Sequence, residues 1–347
     1  MAGCGAIGSI TSAYLCRDGA DVTAVDGWFR QVQAVRGAGL TVAGPDETFT
    51  VQLPILHLDE LAGIDPFDIA ILAVKSYDTE LMTRLVLPRL VPSGFLVSAQ
   101  NGLNEDVIAG IVGPDRTLGC VVHMNGGLFE AGRVTRYSSP RWATFAVGEL
   151  DGRDSDRAEM IAGLLSAVGS SEVSANIRGE LWAKLCVNTM TNALAAISGL
   201  TTPRLWADPE AARLVARLAA ETAAVAAAAG VTMEPVRPTG APSALDPALL
   251  SQVSAGDPDA ISKACAVLAI AAAARAGGRE NQASMLQDVL KGRRTEIDHL
   301  NGRVVSEGRR LGIPTPANAA IVAMAREVES GLHAPGADGW RCVLEVA

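Results

Sequence analysis

Residues 3–8 read GCGAIG, a complete G-x-G-x-x-G, and no other stretch restricts the possible folds so tightly. An apolar run through Tyr14 and Leu15 to Gly19 follows with the character of a helix, and then a strand at 22–25 that ends in Asp26. A Gly-rich turn, a helix, and a strand closed by an acid about 20 positions on form the fingerprint of a dinucleotide-binding βαβ unit. In that pattern Gly3 permits the tight turn, Gly5 lets the backbone approach a pyrophosphate, and Gly8 lets helix and strand pack closely. The backbone around Cys4, Ala6 and Ile7 completes the expected phosphate seat, with the free N–H groups of the helix start facing the ligand. The competing reading is a Gly-rich turn that holds nothing.

Only Met1 and Ala2 precede Gly3, whereas such a turn ordinarily follows a central strand of about five or six residues. The expectation is a first strand cut short: either the true start lies upstream, or the domain tolerates a gap in the middle of its sheet. Asp26 bears on the choice of cofactor. An acid at the end of the second strand accepts hydrogen bonds from the adenosine ribose and repels a 2′-phosphate, which favours NADH over NADPH. Arg30, one helical turn further on, partly offsets that repulsion.

Strand and helix then alternate. The run 68–74 (DIAILAV) suits a buried parallel strand and ends in Lys75. Another strand at 94–98 ends in Gln100-Asn101-Gly102, and further strands are expected at 118–123 and 143–147. Ligands of doubly wound sheets bind beyond the carboxyl ends of the strands, where Lys75 and Asn101 fall. Each also reads as an ordinary loop residue. His123 is read as structural. A helix at 156–168 and a short strand at 172–175 close this domain, which we place at 1–175, and an all-helical domain follows at 176–347. Its Ala-rich stretch 207–229 reads as a helix, and the Pro- and Gly-containing stretch 231–259 as a flexible excursion.

The helical half opens with NIRGELWAKLCVNTMTN, in which Lys184, Asn188 and Asn192 recur every fourth residue. At about 100° per residue they share one face of a helix, with Leu181, Trp182, Leu185, Val187 and Met190 between them. That stripe fits a solvated helix face or the wall of a cleft. A second polar set lies in NQASMLQDVLKGRRTEIDHLNG, where Asn281, Ser284, Asp288 and Glu296 fall within about 120° of one another, provided Gly292 does not interrupt the helix.

Composition narrows the function classes. Hydrophobic residues make up 49% of the 347 and aromatics 4%, so the core is built mainly of Ala, Val, Leu and Ile. A net charge of −9 speaks against nucleic acid or an anionic membrane as the main partner. The six cysteines show no CxxC and no metal-type spacing, and no apolar run is long enough to span a bilayer. We expect a cytoplasmic protein with reduced thiols, no metal, and a small-molecule ligand.

Taken in order, GCGAIG, Val74-Lys75, Asn101-Gly102, NIRGELWAKLCVNTMTN and SMLQDVLKGRRTEIDHLNG resemble the ketopantoate reductase (2-dehydropantoate 2-reductase) family from residue 3 to about residue 302. The resemblance implies a Rossmann domain followed by a helical domain, with the active site in the cleft between them. It implies reduction of the ketone of ketopantoate by NADPH or NADH, as in pantothenate and coenzyme A biosynthesis, in a monomer or homodimer. By position, Lys184 resembles the family's catalytic lysine and Glu296 its substrate-binding carboxylate. Asn101, Asn188, Asn192, Asn281 and Ser284 match polar groups around substrate and nicotinamide, and Lys75 matches a cofactor-side lysine. The chain departs from the family in two places. It has Asp26-Gly27 where many relatives carry an arginine for the 2′-phosphate, against the family's usual NADPH, and its segment between Gly230 and Asn281 is longer than in compact members.

These residue types suit the chemistry. Hydride transfer to a ketone carbon leaves negative charge on the oxygen, and an ammonium such as Lys184 can donate both the hydrogen bond and the proton, its pKa lowered by apolar neighbours. Glu296 would accept from a substrate hydroxyl. Two other readings stand beside this one: a reductase or dehydrogenase acting on another 2-keto or 2-hydroxy acid, and a non-catalytic dinucleotide-binding protein, which would have no need of Lys184 and Glu296.

Overall fold

The computed structural model describes residues 1–347 except 142, 239–243, 276–281, 337–338 and 345–347. The chain divides into two compact units, Met1–Ile177 and Arg178–Ala347.

In the first unit the strands are β1 (Ala24–Asp26), β2 (Leu40–Ala43), β3 (Thr48–Val51), β4 (Ile55–His57), β5 (Phe67–Leu72), β6 (Leu90–Ser98), β7 (Thr117–Val122), β8 (Gly126–Glu130), β9 (Arg133–Arg136), β10 (Ala143–Glu149) and β11 (Ser170–Val173). The helices are α1 (Ala6–Arg17), α2 (Phe29–Ala38), α3 (Thr79–Val86), α4 (Glu105–Val112) and α5 (Asp156–Leu165). The larger sheet runs β4-β1, then residues 1–3, then β5-β6-β7-β10-β11. Its pairings are parallel except that of β10 with β7. This is the strand order of a Rossmann domain with two closing strands added at one edge.

The short opening strand expected from the sequence sits in the central slot and is bonded on both sides. The Val25 N–H donates to Met1 O and the Gly3 N–H to Val25 O, each at 2.8 Å. On the other side the Ala2 N–H donates to Ile71 O and the Ala73 N–H to Ala2 O, also at 2.8 Å. Three residues therefore leave no gap between β1 and β5, because a parallel neighbour needs only alternate donors and acceptors from them. Ala2 and Cys4 are buried there, Ala2 against Val25 and Leu72, and Cys4 among Ile10, Ala13 and Ala24.

A four-stranded sheet, β3-β2-β9-β8, went unread in the sequence. It packs on α1, where Ile10 and Tyr14 meet Leu40, Val42, Leu128 and Val134 in the core. Its strands are four or five residues long, and β2 pairs with β9 from more than eighty positions away, so no local pattern announces the pairing.

In the second unit the helices are α6 (Ile177–Ser198), α7 (Thr202–Ala207), α8 (Pro209–Ala228), α9 (Pro247–Ser254), α10 (Pro258–Arg275), α11 (Ser284–Leu290), α12 (Asn301–Leu311), α13 (Pro316–Glu329) and α14 (Arg341–Leu344). The stretch read as a flexible excursion is partly regular. Val236 and Leu245 exchange two backbone hydrogen bonds, and α9 buries Leu250 and Val253 while packing on α8 and α10. Two of its prolines start helices instead of breaking them: Pro247 and Pro258 each open one, as Pro209 and Pro316 do elsewhere.

One buried acid in the first unit carries a measurable cost. Glu105, the first residue of α4, is 3% exposed, and its Oε1 has no hydrogen-bond partner among the described residues. Burial pushes its carboxyl up from 4.5 to about 7, against the pull of the Ser98 hydroxyl and nearby backbone N–H groups. A carboxyl raised in the native state stabilises fully below its unfolded pKa, and that contribution is lost as pH rises through its native pKa. We therefore expect the wild type to lose stability relative to Glu105→Gln between pH 4.5 and about 8, on the order of 3 kcal/mol at about 1.4 kcal/mol per unit of displacement. Urea unfolding of both proteins at pH 5 and pH 8 reads this difference; identical pH slopes would contradict it.

Candidate functional site

The Gly-rich turn leaves the central slot and enters α1. Gly3 has φ +96°, a conformation that L side chains rarely adopt, and a Cβ there would also meet Val74 at 2.8 Å. At Gly8 a Cβ would lie 1.8 Å from the Gly3 carbonyl oxygen, so only glycine lets α1 start this close to the strand. Gly5 differs: beyond its own chain neighbours, no heavy atom of the described residues lies within 4 Å of the place a Cβ would take. The first turn of α1 has no side-chain cap and no acidic residue of its own. Open space beside uncapped N–H groups fits a pyrophosphate. The Cys4 thiol takes no part, since burial pushes it up to about 11 and its sulfur lies 3.2 Å from the Ser9 hydroxyl.

Asp26 ends β1 beside this turn. Its Oδ2 accepts the Cys4 N–H at 2.6 Å and its Oδ1 accepts the Trp28 N–H at 2.7 Å. Two backbone donors therefore fix the carboxylate against the Gly-rich turn. Lys75 follows β5 and Asn101 follows β6, both half-buried at the carboxyl ends of adjacent parallel strands. Ser76 ties their loops together by donating from its hydroxyl to Asn101 O at 2.8 Å. The first unit thus gathers Gly3, Cys4, Gly5, Ala6, Ile7, Gly8, Asp26, Lys75 and Asn101 along one end of its sheet.

In the second unit Lys184, Asn188 and Asn192 lie on successive turns of α6. Both asparagines are buried, and Lys184 is partly so. Ser284 is the first residue of α11. The single helix expected through Glu296 does not form. Gly292 adopts φ +62°, in the left-handed region, and α11 has already ended at Leu290. Glu296 instead lies in the connection between α11 and α12, 3% exposed, its carbonyl accepting from the His299 and Leu300 N–H groups. Its angular position relative to Ser284 therefore does not follow from helical geometry. Asn281 lies outside the described residues.

A network that the sequence did not reveal joins the Glu296 connection to α6. Asn301, at the start of α12, donates from Nδ2 to Thr189 O at 3.2 Å and to Asn318 Oδ1 at 3.0 Å. Thr189 adjoins Asn188, and its hydroxyl lies 3.0 Å from that of Thr222. Glu221 accepts the N–H groups of Ala317 and Asn318 at 2.9 Å each and the Asn318 Nδ2 at 2.8 Å, capping α13 from the side of α8. Burial raises its carboxyl pKa even so. The one signal for this network is Glu221, an acid in the middle of the Ala-rich helix, which reads equally well as a solvated position.

Among the described residues no helix is long and apolar enough to cross a membrane, and all six cysteines are free. Comparison with known proteins agrees with the two-unit division. Residues 1–152 match the family Ketopantoate reductase PanE/ApbA, and residues 176–329 match Ketopantoate reductase PanE/ApbA C terminal. A 2-dehydropantoate 2-reductase of Archaeoglobus fulgidus is 30% identical over 95% of this chain and 97% of its own. The crystal structure of a PanE/ApbA family ketopantoate reductase from Ralstonia eutropha superposes with a TM-score of 0.75 at 27% identity, covering 96% of this chain and 100% of the other. A D-mandelate dehydrogenase solved with NADH and anilino(oxo)acetate shares the fold, with a TM-score of 0.78 at 24% identity over 96% of this chain and 99% of its own.

The glycines give a paired expectation. Gly5→Ala should melt within about 2 °C of wild type yet bind NADH at least about tenfold more weakly, because the methyl takes the phosphate's space. Gly8→Ala should melt more than about 5 °C lower, because the turn itself must open. Thermal melts with NADH titrations read both, and wild-type affinity in Gly5→Ala would refute the assigned seat.

Proposed function

The chain belongs to the ketopantoate reductase PanE/ApbA family across both units and is an oxidoreductase of that kind using a nicotinamide dinucleotide; on that premise we propose that it reduces ketopantoate to pantoate, with NADH preferred and Lys184 as the acid. A bound dihydronicotinamide supplies the hydride. The residues would do the rest. Lys184 would donate a hydrogen bond to the ketone oxygen and pass it a proton as charge develops there. Asn188 and Asn192, on the next turns of α6, would hold the ammonium or donate to the substrate, and Ser284 and Asn281 would bind the substrate carboxylate. Asn101 and Lys75 would serve the nicotinamide and cofactor side.

Glu296 would accept from the hydroxyl of ketopantoate. A buried acceptor left unpaired costs about 1 to 3 kcal/mol, which sorts hydroxylated keto acids from plain ones by about fivefold to a hundredfold or more. The observation that carries the whole reading is the lysine and carboxylate together in one helical unit, with the Gly-rich turn ahead of them. A protein that only senses dinucleotides has no use for either group.

The preference for NADH rests on Asp26. Its carboxylate is held by the Cys4 and Trp28 N–H groups and cannot swing aside, so a 2′-phosphate at the ribose would meet a fixed negative charge. Arg30 in the first turn of α2 is exposed and offers only partial compensation.

Steady-state kinetics test the assignments. Lys184→Ala should lower kcat with ketopantoate by at least about a hundredfold while NADH still binds. Glu296→Ala should raise KM for ketopantoate and leave 2-ketoisovalerate, which lacks the hydroxyl, nearly unaffected. Turnover close to wild type in Lys184→Ala would sink the assignment of the acid.

A further inference from the structure

The loop after β5 and the loop after β6 are joined by a set of buried side chains around the Asn101 carbonyl, of which only Ser76 has been described so far. The Asn101 carbonyl accepts from two of them, the Ser76 hydroxyl at 2.8 Å and the Asn104 Nδ2 at 2.7 Å. Asn104 Nδ2 also lies 3.3 Å from the Ser76 hydroxyl, and its Oδ1 accepts from the Thr79 hydroxyl at 3.1 Å. Gln100 Nε2 extends the set by donating to the Thr79 hydroxyl at 2.8 Å and to Val74 O at 3.0 Å. Ser76, Thr79, Gln100 and Asn104 are all buried.

Asn104 holds this set together at the expense of an ordinary task. It occupies the N-cap of α4, where an asparagine side chain normally accepts a backbone N–H from the first turn, yet it makes no side-chain cap there. Its amide turns back instead, toward the carbonyl of Asn101 and across to the neighbouring loop. Gly102, at φ +87°, makes the reversal that brings Asn104 under Asn101. A side chain that leaves the first turn of its own helix uncapped, and bonds instead to the carbonyl three residues back and to two hydroxyls of the neighbouring loop, is placed to hold that carbonyl and that loop together.

We propose that Asn104 is a positioning residue: it sets the backbone of Asn101, and through Ser76 locks it to the loop that carries Lys75, so that the two loops present their side chains as one unit. The inference rests on the reading of Asn101 as a site residue. Small errors in the placement of a group beside reacting atoms cost far more rate than stability, so the effect belongs in turnover.

Oxidation of NADH with ketopantoate, followed for Asn101→Ala, Asn104→Ala and the double variant, tests this as a cycle. Asn104→Ala should lower kcat by about tenfold but should slow Asn101→Ala by clearly less than that factor, because part of its effect runs through the Asn101 side chain. Ser76→Ala should show a smaller loss with the same non-additivity and Ser76→Thr should recover it, which keeps the test open if Asn104→Ala does not fold. Losses that multiply in the double variant, or near wild-type kcat in Asn104→Ala and Ser76→Ala beside an impaired Asn101→Ala, would overturn the positioning role alone. Near wild-type kcat in Asn101→Ala would overturn the reading of Asn101 and this inference with it.

Discussion

The approach of α1 to the central strand governs the first unit. The carbonyl oxygen of Gly3 stands where a side chain at position 8 would begin, so helix and turn close together only because both residues are glycine. That closeness carries the N-terminus of α1 to the end of the sheet and brings the Cys4 N–H within 2.6 Å of Asp26. From it follow the open space at Gly5, the fixed carboxylate beside it, and the alignment of the Lys75 and Asn101 loops along the same edge.

The second unit is organised by buried polar groups that hydrogen-bond to one another across helices. Thr189, Thr222, Glu221, Asn301 and Asn318 join α6, α8, α12 and α13, and each would be costly alone in an Ala-rich interior. Their joint effect is to fix the register of α6, and with it the stripe of Lys184, Asn188 and Asn192. It also ties the chain just beyond Glu296 to the turn of α6 that carries Asn188. A core of alanines, with little shape of its own to specify one packing, gains that specification from this network.

The parts legible in the sequence are those encoded over short distances. The Gly-rich turn, the helix after it and Asp26 span fewer than thirty residues, and the period of Lys184, Asn188 and Asn192 lies within one helix. The sheet β3-β2-β9-β8 is illegible because its defining pair joins segments far apart in the chain. The placement of Glu296 on one helical face with Ser284 does not hold for another reason: α11 ends at Leu290 and Gly292 takes a left-handed backbone, so a 3.6-residue period does not extend to position 296. The polar ties around Asn104 and Asn301 were hidden because an asparagine in sequence gives no sign of which carbonyl it will reach.

Everything proposed for the chemistry presumes that the glycine turn and Asp26 together form the seat of a dinucleotide lacking a 2′-phosphate. Titration of the wild-type protein with NADH and with NADPH, followed by nucleotide fluorescence, addresses this directly. The account predicts that NADH binds at least about tenfold more tightly, a difference of about 1.4 kcal/mol. Equal or tighter binding of NADPH would contradict it.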